Sequence, residues 1–96
     1  MLTHMVLWKY LPETTQANRD KHVAGLRSLA GLVNGLESLA VGFDTLNLAR
    51  SYDTGLVAVF RDRAALDKYT VHPDHVKVAN FGREISADVA SVDFES

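Results

Sequence analysis

Ninety-six residues suffice for one domain with a thin core, since a chain of this size buries only about 60–70% of the surface its unfolded form exposes. Ten Lys and Arg against twelve Asp and Glu give a net charge of −2 with the signs interspersed, and Lys9, Arg19, Lys21 and Arg27 form no tight run, which argues against a nucleic-acid partner. With no cysteine there are no disulfide staples, so stability must come from packing or a second subunit, and a reducing cytoplasmic setting fits.

Residues 3–10, Thr-His-Met-Val-Leu-Trp-Lys-Tyr, read as a strand from their β-branched and aromatic content. Its faces are His4, Val6, Trp8, Tyr10 and Met5, Leu7, Lys9, apolar on both sides as in a central strand. This start has neither the basic region nor the long apolar region of an export signal, and no apolar run is long enough to span a bilayer.

After the breaker Leu11-Pro12-Glu13-Thr14, a helix is predicted from about Thr15 to Leu32, with Val23, Leu26, Ala30 and Val33 on its inner stripe and Leu29 beside them. Gly25 within it costs about 1 kcal/mol relative to alanine and marks a candidate close-packing point. Asn34-Gly35 ends this segment.

A half-covered strand follows over Leu36–Thr45, alternating Leu39, Val41 and Phe43 with Ser38, Ala40, Gly42 and Asp44. Leu46–Ser51 forms a loop, and Tyr52–Phe60 is a strand apolar on both faces. Asp62 caps a short helix through Tyr69 with Ala65, Leu66 and Tyr69 inside. Pro73 forces a stop near Val71 and lets another helix begin, running to about Ala87. Asp88–Phe94 closes the chain as a strand.

The order β-α-β-β-α-β, with strands one and three two-faced and strands two and four alternating, matches a ferredoxin-like split βαβ with spatial order 4-1-3-2. The predicted class is therefore α+β, a single domain over residues 1–96 with a four-stranded antiparallel sheet. Helices cover one face of such a sheet. Met5, Leu7, Val57 and Val59, or their opposites, are left as an apolar patch, which a second copy packed face to face would cover as a homodimer.

The segment Tyr69-Thr70-Val71-His72-Pro73-Asp74-His75 holds two of the four histidines and concentrates the chemistry. Tyr69 and His75 meet across the bend, while the His72-Pro73-Asp74 step reads as a helix stop and restart with His72 near the N-cap. His75, Val78, Ala79, Gly82 and Ile85 share one helix side, so His75 faces inward. Small Ala79 and Gly82 either leave a void beside it for a small-molecule ligand or simply permit close packing.

The positive end of its helix dipole disfavours imidazolium at His75 and favours a neutral general base, whereas Asp74 pulls the other way. Tyr69 supplies a hydroxyl for a substrate carbonyl or developing oxyanion, or bonds His75 directly. His4 and His22 are further candidates for the same space or ordinary core histidines. His72-Pro73-Asp74-His75 lacks the spacing of a helical His pair, so no metal site is expected. A phosphate-binding Gly loop and a Ser nucleophile elbow are absent as well, and no cofactor is expected.

The opening His4-Met5-Val6-Leu7-Trp8-Lys9-Tyr10, the Asn34-Gly35-Leu36 step, Tyr52, Tyr69-x-x-His72-Pro73-x-His75 and the closing Val92-Asp93-Phe94 together resemble the stress-responsive A/B barrel domain (Dabb) family over essentially the whole chain. The resemblance implies dimeric α/β barrels of ferredoxin-like protomers, most of them without assigned activity. In a polyketide-cyclising member the matching Tyr and His act together, which implies His75 as base and Tyr69 as the substrate-holding residue of a cyclase or lyase. His4 matches a histidine of that member, but Thr54 stands where it has another histidine, and His22 and Val23 stand where it has aromatic residues. Cofactor-free monooxygenases on related dimeric barrels supply a further alternative.

Overall fold

The computed structural model describes residues 1–96. Seven elements run in the order β1 (Leu2–Tyr10), α1 (Gln16–Arg27), β2 (Leu36–Phe43), β3 (Thr54–Phe60), α2 (Arg63–Val71), α3 (Pro73–Glu84) and β4 (Ser86–Glu95). The strands form one sheet in the order β2-β3-β1-β4 with every pair antiparallel, so the ferredoxin-like arrangement is present and β1 and β3 are central.

Residue types set the helix starts. Thr15 accepts the Asn18 N–H and Asp62 accepts the Ala65 N–H, each satisfying a donor that the first turn leaves free. His72 has extended backbone angles, ends α2 and N-caps α3 through Nδ1, which accepts the Asp74 N–H, while Pro73 occupies the first turn.

Two helix ends differ from expectation by three or more residues, and strand ends by at most two. Helix α1 stops at Arg27, five residues short of Leu32. There Ser28 Oγ donates to the Gly25 carbonyl, the backbone tightens into three-residue turns, and Gly31 takes φ +73°. Leu29 still enters the core from this turn, which is why its spacing mimicked a longer helix. Helix α3 ends at Glu84, and β4 begins at Ser86 because Tyr10 and Ser86 pair across a register shift at the end of β1.

Even-numbered residues of β1 and β3 face the helices and make the core with Leu26, Leu29, Leu66 and Tyr69; Phe60 and Ala58 have no exposed surface. Odd-numbered ones form the other face, where Leu7 and Val57 remain 38% exposed. No helix is long and apolar enough to cross a membrane.

Candidate functional site

The α2–α3 bend brings Tyr69 and His75 together with ring centroids 4.4 Å apart. Tyr69 is buried on the inner side of α2 against Phe60, and His75 is half-buried in the first turn of α3. His75 Nδ1 lies 3.0 Å from the Thr70 carbonyl oxygen. A carbonyl only accepts, so Nδ1 carries the proton and, in the neutral ring, Nε2 carries the lone pair. Burial lowers the His75 pKa most strongly; the Thr70 carbonyl opposes this, and nearby His4 and His72 add to the lowering.

Of the three tyrosine hydroxyls, those of Tyr10 and Tyr52 are engaged by protein groups, and that of Tyr69 bonds none. Burial pushes the Tyr69 phenol up to about 12, so it remains a proton donor at neutral pH. Of the alternatives for Tyr69, the direct hydrogen bond to His75 is not formed; the rings pack instead, because His75 Nδ1 turns to Thr70.

Beside this pair lies a cavity of about 230 Å³ between α3 and the β1–β4 edge of the sheet. Its helix wall is His75, Ala79 and Arg83, and its sheet wall is His4, Val6 and Trp8 with Val89 and Ser91. Tyr69 sits behind His75 rather than in the wall. His4 Nδ1 is paired with the carboxylate of Asp93, its register partner on β4, which leaves Nε2 unengaged.

Larger hollows, of about 570 and 550 Å³, lie beside the Asp44–Tyr52 loop and between α2 and the end of β4. The first has no imidazole, and the second adjoins the smaller cavity by sharing His4 and Thr70. Two imidazoles, His4 and His75, line only the smaller one. No three His, Asp or Glu side chains gather as metal ligands would.

Three residues expected at the pocket stand elsewhere. His22 is fully buried with its Nδ1 2.8 Å from the Tyr10 hydroxyl, which is also 2.8 Å from Thr54 Oγ1. His22 and Thr54 thus belong to a closed polar triad under α1, and Gly82 lies against the His22 ring rather than in the cavity wall. The sequence does not mark Arg83 as a site residue, and Asp93 stands out there only within the closing Val92-Asp93-Phe94. Asp93 follows from pairing β4 with β1, and Arg83 from extending the His75, Ala79 spacing by four.

The Stress responsive A/B Barrel Domain (Dabb) family matches residues 2–96. Among solved structures, a dimeric ferredoxin-like protein of unknown function from Thermobifida fusca is 24% identical with a TM-score of 0.91, over 99% of this chain and 90% of that one. A dimeric ferredoxin-like protein of unknown function from Jannaschia sp. is 28% identical with a TM-score of 0.85, over 99% and 98%. The hydroxynitrile lyase from Passiflora edulis shares the fold at 14% identity and a TM-score of 0.85, over 97% and 90%. No curated protein matches. With the family match spanning nearly its whole length, the chain belongs to the stress-responsive A/B barrel domain family.

Proposed function

We propose that this chain is a homodimeric barrel that binds a small carbonyl compound beside Tyr69 and His75 and acts on it by acid–base chemistry of the cyclase or lyase type. The observation that carries this reading is the orientation of His75. With Nδ1–H tied to the Thr70 carbonyl, Nε2 is a neutral base in a partly desolvated cavity.

His75 Nε2 takes the proton from the carbon α to the carbonyl, and the C–H electron pair moves to give the enolate. For the Tyr69 hydroxyl, free of protein partners and held as the neutral phenol behind His75, to donate to the enolate oxygen, the substrate carbonyl must enter past the edge of the imidazole. In a cyclisation the α-carbon then bonds to a second carbonyl carbon of the same substrate, whose oxygen takes the proton back from imidazolium. His4, fixed by Asp93, is the second imidazole of the cavity. A hydroxynitrile lyase on the same fold is a precedent for lyase chemistry on this scaffold.

The test is exchange of α-protons for deuterium in a panel of neutral and acidic methyl ketones, followed by NMR. His75→Ala should lose about 10²–10⁴-fold of the catalysed rate, and Tyr69→Phe about 10²-fold. The wild-type rate should rise with pH through a midpoint below 6.5, the ordinary histidine value, because burial lowers the His75 pKa. Exchange no faster than in buffer, or unchanged in His75→Ala, would sink the reading.

A further inference from the structure

The far end of the same cavity is cationic. Arg83 lines it, and the only hydrogen bond its guanidinium makes is from Nη1 to the Asn80 side-chain oxygen, at 3.0 Å. No carboxylate pairs with it, whereas Arg61 and Arg63 have Asp62 and Asp67. A guanidinium with spare donors at the wall of a cavity is suited to hold a carboxylate, whose two oxygens match its fork.

His75, Ala79 and Arg83 fall at i, i+4 and i+8 of α3, about 12 Å from first to last along the axis. The opposing wall runs from His4 to Trp8 on β1, about 13 Å of strand. The cavity is therefore a slot with two imidazoles at one end, a guanidinium at the other, and Val6, Ala79 and Val89 between them. Asp93, bound to His4, repels an anion from the imidazole end. A bound oxo acid has one favourable orientation: carboxylate toward Arg83, carbonyl toward His75.

We infer that the substrate class is small oxo carboxylic acids in which a short apolar spacer separates carbonyl and carboxylate, with Arg83 as the residue that selects the acid. This rests on the reading of the cavity as an acid–base site and adds its specificity. Arg83 itself is exposed, so its replacement leaves the core intact.

The probes are 6-oxoheptanoate and its methyl ester, each titrated by calorimetry against the full chain at low salt and each assayed for α-proton exchange. The acid should bind at least about tenfold more tightly than the ester, as a charge-assisted pair would give. Arg83→Gln should bring the two to near parity by weakening the acid far more than the ester, with the thermal midpoint unchanged, and Arg83→Lys should retain part of the preference. Equal affinities in wild type, or a preference that survives in Arg83→Gln, would overturn the assignment of Arg83 while exchange of both probes kept the acid–base reading intact. Absence of both binding and exchange would remove the acid–base reading and this inference together.

Discussion

His22 is the most constrained titratable residue of the chain, although it lies outside the cavity. Its ring has no exposed surface and packs edge-on against Trp8 at 4.8 Å and Tyr10 at 5.7 Å, with Phe81 at 6.3 Å. Nδ1 is satisfied by Tyr10, but Nε2 has no partner. A second proton would place a charge where nothing accepts it, and burial alone lowers the His22 pKa to about 4. Between that value and the unfolded value of 6.5, the unfolded chain binds the proton and the folded chain does not. Stability from this group is therefore complete above 6.5 and falls as pH drops toward 4, by about 3 kcal/mol in all. His22→Gln lacks the titration, so the stability gap between wild type and variant in urea unfolding should shift by about that amount from pH 7 to pH 4. Parallel stability–pH curves would show that Nε2 finds a partner on protonation.

At the scale of elements, α1 and α3 meet over the sheet through glycines with unlike surroundings. A Cβ on Gly82 would lie 2.5 Å from His22 Nε2, in a ring that cannot move, whereas one on Gly25 would meet the Val78 methyls at 3.3 Å and 3.4 Å. Gly82→Ala should thus lose about 1–3 kcal/mol from overpacking, only partly offset by helix propensity. Gly25→Ala should stay within about 1 kcal/mol of wild type, its propensity gain opposing a small rearrangement of Val78. Thermal unfolding of both variants checks the pair, and equal midpoints would refute the packing asymmetry. The close approach at Gly25 was readable from a glycine inside a helical stripe. The role of Gly82 was not, because it depends on a ring from another helix. The same division holds elsewhere. Strand alternation and Pro73 disclosed the sheet order and the Tyr69–His75 approach, since both follow from local backbone geometry. The end of α1 hid behind Leu29, whose inward position a turn and a helix satisfy equally. The Tyr10–His22–Thr54 triad joins three elements across the core and has no local signature.

For the whole molecule, helices cover one side of the sheet and leave the other bare. Met5 and Val59 are half-buried there, while Leu7 and Val57 are 38% exposed, Phe94 43% and Val92 54%. Antiparallel pairing sets these side chains on one face, as Met5 lies opposite both Val57 and Val92 and Thr3 opposite both Val59 and Phe94. A continuous apolar surface on a small domain calls for a cover, and a second copy in two-fold contact supplies one without any new sequence. The Thermobifida and Jannaschia neighbours are described as dimeric. Light scattering should therefore give twice the 10.6 kDa chain mass. Val57→Asp, on a central strand of that face, would bury two carboxylates against apolar surface and should give a monomer with a lower thermal midpoint. The His75 cavity lies on the helix side, so in the proposed dimer each chain would keep its own His4 and His75. The monomeric variant, assayed well below its melting temperature, should keep the α-proton exchange of the wild type per chain. Wild type at 10.6 kDa in solution would refute the dimer, and loss of exchange in a folded Val57→Asp monomer would mean that the two faces of the sheet are coupled.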